Sequence, residues 1–211
     1  MFTSVILGAG KSTRMKANKS KLLFSIAGKP VINHIVSSLK DAKAKHNICV
    51  INNSSAELKK ILEAEKVSFA YQKILDGTAG AVKAALKSKK NSNSKILILC
   101  GDVPFITSSS IKKIIAKLKN HDAVVGTVEL ELPKGYGRII RVNNKFSSIV
   151  EEKQTTPEQR QIREVNTGII AIQEKVLRKY ISLIKNNNQK KEYYLTDIIK
   201  ILIAHDKKVT T

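Results

Sequence analysis

The strongest constraint on this chain is a rhythm in its apolar residues. Short β-branched or aromatic runs alternate with longer amphipathic stretches from the third residue onward. Strand candidates are TSVIL (Thr3 to Leu7), NICVI (Asn47 to Ile51), VSFAY (Val67 to Tyr71), KILILC (Lys95 to Cys100) and DAVVGTV (Asp122 to Val128). Among the stretches between them, Ile32, Ile35, Val36 and Leu39 recur at i, i+3, i+4, i+7, as do Ile111, Ile114, Ile115 and Leu118. Each stripe can cover one face of a sheet. Strands alternating with helices imply βα units and a parallel sheet. After about Gly126 the rhythm changes, and GRIIRV and KFSSIV flank Asn143 and Asn144 as a β-hairpin. Glu164 to Ile172 reads as a further strand, and the helix after it carries Leu177, Tyr180, Ile181 and Ile184 on one face. A last helix runs through TDIIKILIA. The expected fold class is α/β and Rossmann-like: a mixed, mostly parallel sheet flanked by helices, with a small β-hairpin extension.

With 211 residues, no internal repeat and no Pro-rich linker, one domain over 1–211 is expected; KKNSNSK (Lys89 to Lys95) is a polar loop before a strand. Apolar residues make up 42% of the chain without any run long enough to cross a bilayer. The N-terminus enters a strand at once, with no basic segment ahead of an apolar stretch, so a cytoplasmic location and no membrane partner are expected. Cys49 and Cys100 sit in apolar runs without CxxC spacing and read as buried reduced thiols. His34, His46, His121 and His205 show no metal-ligand pairing, which argues against zinc.

Thirty-eight Lys and Arg stand against 17 Asp and Glu, a net charge of +21. That favours polyanions or anionic substrates without choosing between them, and a lysine-rich base composition of the genome would produce the same excess. No aromatic RNA-binding signature and no Arg-rich arm accompanies it, so no specific nucleic-acid partner is expected.

The charge gains meaning where the first strand ends. LGAGKSTRMKANKSK follows it directly, a glycine-rich turn with Lys11, Arg14, Lys16, Lys19 and Lys21. Glycines let backbone amides approach an anion, and cationic side chains can close over it. Two familiar phosphate loops are excluded: a Walker A loop needs Gly where Val5 stands, and a dinucleotide fingerprint needs Gly where Thr13 stands. A second feature, GDVP (Gly101 to Pro104), places Asp102 immediately after an apolar strand. In parallel α/β sheets ligands bind at that edge, and a carboxylate beside phosphates suits Mg²⁺.

These blocks, taken with those downstream, give the chain a recognisable pattern. They are LGAGKSTRM (Leu7 to Met15), AGKP (Ala27 to Pro30), Gln72 with GTA (Gly77 to Ala79), GDVP, GYGRIIR (Gly135 to Arg141), IVEEK (Ile149 to Lys153), EVNTGI (Glu164 to Ile169), NNN (Asn186 to Asn188) and EYYLTDII (Glu192 to Ile199). In this order the chain resembles the N-acetylglucosamine-1-phosphate uridylyltransferases. These bacterial nucleotidyltransferases make UDP-N-acetylglucosamine for peptidoglycan and lipopolysaccharide from UTP and N-acetylglucosamine 1-phosphate, with Mg²⁺. By that resemblance Leu7, Gly8, Ala9 and Gly10, with Cys100 and Gly101, hold the nucleotide. Arg14 and Lys21 are the catalytic cations on the triphosphate. Gln72, Gly77 and Thr78 read the base, Asp102 is the metal ligand, and Gly137, Glu151, Asn166, Tyr194 and Thr196 hold the sugar.

The chain departs from that pattern at several positions. Ser12 stands where the family has glycine, Ser20 where it has proline, and Asp76 where it has leucine before Gly-Thr. Asp76 brings negative charge beside the expected base pocket. Family members also continue into an asparagine that shares the metal and a left-handed β-helix acetyltransferase domain, neither of which lies within these 211 residues. The β-helix carries most of the family's trimer contacts, so the oligomeric state stays open. Two alternatives stand beside the uridylyltransferase: a nucleotidyltransferase for another sugar or alcohol phosphate, and a catalytically silent nucleotide-binding domain.

Overall fold

The computed structural model describes residues 1–10, 20–52, 56–91 and 93–211. Strand β1 (Phe2–Leu7) opens the chain, and a 3₁₀ turn at Lys21–Leu23 leads to a two-stranded ribbon of β2 (Ser25–Ile26) and β3 (Lys29–Pro30). Three βα units follow: α1 (Val31–Asp41), β4 (His46–Ile51), α2 (Ala56–Ala64), β5 (Ser68–Tyr71), α3 (Thr78–Ser88), β6 (Lys95–Cys100) and α4 (Ser108–Lys117). Beyond β7 (Ala123–Glu129) come the hairpin of β8 (Arg138–Val142) and β9 (Lys145–Val150) and the short helix α5 (Pro157–Arg160). The chain then forms β10 (Glu164–Gln173), α6 (Glu174–Tyr180), α7 (Asp197–Ala204) and β11 (Val209–Thr210).

Along the main path the sheet order is β11-β7-β10-β6-β1-β4-β5. Strands β6, β1, β4 and β5 pair in parallel, so Leu7 lies level with Cys100 on one side and Val50 on the other. Their apolar runs are continuous because both faces are covered, as parallel sheets require. Val5, Ile48, Val50, Ile96 and Ile98 face α3, α6 and α7. Ile6, Cys49, Ile51, Leu97 and Leu99 face α1, α2 and α4. The stripe Ile32, Ile35, Val36 and Leu39 is fully buried, as its spacing predicts.

The second half supplies the antiparallel part of the expected mixed sheet. Strand β10 inserts between β6 and β7 and runs antiparallel to both, while β7 keeps the direction of β6. The expected hairpin forms with Asn143 and Asn144 at φ 50° and 61°, the left-handed pair that a tight hairpin turn demands. It hangs from β10 through Arg138 opposite Val165. The stripe Leu177, Tyr180, Ile181 and Ile184 is buried as expected, but the helix ends at Tyr180 and continues as a 3₁₀ turn at Ile181–Leu183. Among the described residues no helix is long and apolar enough to cross a membrane.

Candidate active site

The parallel strands β1, β4, β5 and β6 all deliver their C-terminal ends to one edge, and the backbone continues each ladder by one residue. Gly8 N donates to Val50 O at 2.9 Å, Gly101 N to Leu7 O at 3.0 Å, and Gln72 N to Ile51 O at 3.0 Å. Asn52 Nδ2 donates to Ala9 O at 3.2 Å, tying the loop after β1 to the end of β4. The turn after β1 and the GDVP turn after β6 therefore stand side by side.

Leu22 joins these two turns. Its side chain is fully buried, and a Cβ on Gly8 would lie 2.7 Å from Leu22 Cδ1, while one on Gly101 would collide with Leu22 Cδ2. The two glycines thus make the slot that Leu22 fills, whatever else their backbones do. Ser20 caps the short 3₁₀ turn, its Oγ accepting from Leu22 N at 3.4 Å, which gives the residue at this departure from the family pattern a local role. Seating Leu22 brings its neighbour to the edge: Lys21 Nζ donates to Asp102 Oδ2 at 2.5 Å. Arg14, Lys11, Ser12, Lys16 and Lys19 lie outside the described residues.

Beside this pair, the loop from β5 to α3 forms a second wall. Gln72 is buried, and its Nε2 donates to both Asp76 Oδ1 and Gly77 O at 3.0 Å. Gly77 has φ 110°, and a Cβ there would sit 2.7 Å from Tyr193 N, so backbone strain and close approach both require glycine. The chain at 193–195 braces the loop: Tyr193 N donates to Asp76 O at 2.7 Å, Ala79 N to Tyr193 O at 2.9 Å, and Leu195 N to Thr78 Oγ1 at 2.9 Å.

The third wall comes from β8, β9, β10 and the start of α7. Thr196 Oγ1 donates to Glu151 Oε1 at 3.1 Å, and Asn166 N to Gly137 O at 2.9 Å. A bulge in β10 between Asn166 and Ile170 turns Gly168 (φ 75°) toward the sheet edge, where Gly168 N donates to Asn166 Oδ1 at 2.9 Å. A Cβ on Gly168 would sit 3.3 Å from Cys100 Sγ, so this wall adjoins the end of β6. The Tyr194 hydroxyl is pushed above its ordinary value by burial and then by the charges of Glu192, Glu151 and Asp197, so it stays a hydrogen-bond donor at neutral pH.

The two thiols behave differently from a redox pair. Burial pushes Cys49 up to about 12, and burial followed by the Asp102 charge pushes Cys100 up to about 11, so both stay protonated. Cys49 is buried as expected, whereas Cys100 is only partly so because it ends β6 at the open edge.

Several positioning residues escape a motif reading. Besides Leu22 and the 193–195 backbone, Arg138 is buried, 1% exposed, with Nη1 2.8 Å from Glu152 Oε2 and a hydrogen bond to Tyr136 O. It clamps the strands that carry Gly137 and Glu151. Its place inside GYGRIIR was the available signal.

The geometry agrees with what comparison finds. The MobA-like NTP transferase domain pattern matches residues 4–139, well over half the chain. The chain belongs to that family. Its curated relatives include proteins named bifunctional protein GlmU. The one from Saccharophagus degradans is 37% identical, covering 100% of this chain and 47% of its own length. That from Caldicellulosiruptor saccharolyticus is 39% identical over 98% and 46%, and that from Francisella tularensis subsp. novicida 41% over 92% and 43%. This chain spans about half the length of these relatives, and the resemblance drawn from its motifs agrees with them. Solved structures share the fold at 18% identity. A UDP-glucose pyrophosphorylase complexed with UDP-glucose superposes with TM-score 0.77, covering 98% of this chain and 88% of its own. A putative glucose-1-phosphate thymidylyltransferase from Bacillus anthracis gives 0.78 over 100% and 86%.

Proposed function

We propose that this domain transfers the uridylyl group of UTP to N-acetylglucosamine 1-phosphate, releasing pyrophosphate and forming UDP-N-acetylglucosamine. The contact between Lys21 and Asp102 supports this reading, because it brings a cation suited to phosphate and a carboxylate suited to a divalent metal to one sheet edge beside the glycine turn.

The chemistry needs no general base. A sugar 1-phosphate has a second pKa of about 6, so its oxygen is already an anionic nucleophile at neutral pH. The barrier lies in bringing two anions together and stabilising charge on the α-phosphate and the departing pyrophosphate. Lys21 supplies positive charge there, and Arg14 takes the second cationic role that the family resemblance gives it. Leu7, Gly8, Ala9 and Gly10, with Cys100 and Gly101, cradle the nucleotide, while Gln72, Gly77 and Thr78 face the base. Gly137, Glu151, Asn166, Tyr194 and Thr196 hold the amino sugar so that its phosphate attacks in line.

Asp102 fits a magnesium ion. Its carboxylate is about half exposed at 52%, an oxygen donor suited to a hard cation that keeps most of its waters. Among the described residues no group of three or more His, Cys, Asp or Glu converges. The remaining ligands would come from water and substrate phosphates. Bound at Asp102, Mg²⁺ supplies charge neutralisation for the triphosphate.

The test is pyrophosphate release from UTP, N-acetylglucosamine 1-phosphate and MgCl₂, with CTP, GTP and dTTP as competitors. Pyrophosphate in step with UDP-N-acetylglucosamine is the expected outcome. Turnover with another base points to a relative of different specificity, and UTP binding without turnover points to the silent domain.

A further inference from the structure

Asp76 is the departure from the family pattern that stands in the loop from β5 to α3, and its contacts give it a task. Gln72 Nε2 donates to Asp76 Oδ1 and to Gly77 O, each at 3.0 Å. A primary amide has two N–H hydrogens, and both are used here by oxygen acceptors. The amide cannot turn over, because Oε1 would then face a carboxylate and a carbonyl, neither of which donates. Its orientation follows from its partners rather than from an arbitrary assignment of N and O. Oε1 makes no hydrogen bond among the described residues, so it is presented as a fixed acceptor.

Asp76 has its place only because Gly80 lacks a side chain. A Cβ on Gly80 would fall on the Asp76 carboxylate, so only glycine at that position in the first turn of α3 leaves the carboxylate its room. The negative group lies at the positive end of α3, where the helix dipole favours it. The backbone of Asp76 is fixed separately, through its carbonyl, by Tyr193 N at 2.7 Å. Carboxylate, glycine and amide form one arrangement.

We propose that Asp76 is a specificity-determining residue: seated in the room that Gly80 leaves, it locks the Gln72 amide so that the nucleotide pocket presents an acceptor and selects a base with a ring N–H over one with a bare ring nitrogen. Uracil offers N3–H to that acceptor. Cytosine offers a lone pair at the same position, and two facing acceptors repel. The proposal rests on the reading given above that Gln72 faces the base. The charge that looks out of place beside a base pocket then acts on the pocket's own amide.

The experiment measures equilibrium binding of UTP and CTP by calorimetry in MgCl₂ without sugar phosphate, together with kcat/KM for both nucleotides. Asp76→Ala frees one amide hydrogen and should lower the UTP-over-CTP ratio about tenfold, mainly through tighter CTP binding. Asp76→Asn, which keeps an acceptor oxygen, should retain most of the ratio. Gly80→Ala should lower the ratio as Asp76→Ala does without loss of folding, because a carboxylate at the end of a flexible side chain can swing aside. The double variant Asp76→Ala/Gly80→Ala should be no worse than Asp76→Ala alone. A wild-type preference for UTP that survives unchanged in Asp76→Ala overturns the lock and leaves the uridylyl reading standing. Equal wild-type affinity for UTP and CTP overturns both. UTP preference without turnover, lost in Asp76→Ala, supports the lock and removes the catalytic reading alone.

Discussion

The ammonium of Lys21 stands 2.5 Å from the Asp102 carboxylate, although 81 positions separate the two residues. Their side chains are 29% and 52% exposed, and an exposed pair contributes only about 0–1 kcal/mol to stability. Lys21→Ala should therefore leave the urea midpoint nearly unchanged while lowering kcat/KM for UTP by about 10²–10³-fold, the scale for losing one preorganised electrostatic contact. Asp102→Asn should raise the MgCl₂ concentration needed for half-maximal pyrophosphate release. Arg14→Ala should likewise cut turnover by orders of magnitude with the fold intact. Near-normal rates in all three would move the triphosphate site elsewhere.

Leu22 and Gly101 make a complementary pair that unfolding experiments can separate from catalysis. Leu22→Ala empties the slot between Gly8 and Gly101 and should cost about 2–4 kcal/mol. Gly101→Ala drives a methyl into Leu22 Cδ2, with Leu7 O 3.1 Å away on the other side, and should cost about 1–3 kcal/mol. Combined, the added methyl occupies part of the space left by the removed side chain. Urea denaturation should then give a double variant less destabilised than the sum of the two singles. Strict additivity would show that Leu22 does not key the two turns together.

These two pairs separate what is legible in the sequence from what is not. The ends of β1 and β6 were legible because strands buried on both faces are continuous apolar runs, and each run stops at a glycine that opens the site edge. The direction of β10 was not. EVNTGIIAI looks the same whether it runs with or against its neighbours, and only the pairing of Ile170 with Ile98 and Val125 fixes its course. Leu22 resembles any core leucine, because its role comes from Cβ atoms that Gly8 and Gly101 lack. From the sequence Asp76 shows only as negative charge beside the expected base pocket, because the room for its carboxylate depends on Gly80 in the first turn of α3.

Glu174 gives the fold a defined acid limit. Its side chain is fully buried, and burial is the largest single influence, acting against the charged form. Hydrogen bonds from Lys89, Arg178 and Ser94 together outweigh it and hold the carboxyl at about 2. The folded value lies below the unfolded one, so the stabilisation is complete above about pH 4.5 and is lost as pH falls toward 2. The difference corresponds to about 3 kcal/mol at neutral pH. Glu174→Gln should lower stability at pH 7 by a comparable amount and flatten the fall in urea midpoint between about pH 4.5 and 2. An unchanged acid profile in that variant would place the acid-sensitive group elsewhere.

Thr196 and Glu151 offer a way to test the proposed sugar wall separately from the proposed nucleotide walls. Thr196 Oγ1 donates to Glu151 Oε1 at 3.1 Å, leaving the second carboxylate oxygen for a ligand hydroxyl. Thr196→Val keeps the shape and removes the donor, so Glu151 loses its orientation while its charge stays. The expected result is a rise of about tenfold in KM for N-acetylglucosamine 1-phosphate, with KM for UTP within about twofold, since one hydrogen bond to a charged group is at stake. Glu151→Gln should raise the same KM further, because it also weakens the acceptor. Thr196 opens α7 next to the 193–195 segment that braces Gly77 and Thr78, so the nucleotide KM is the sensitive control. If both KM values rise together in Thr196→Val, the two walls move as one body and the hydroxyl acts on the loop rather than on the sugar.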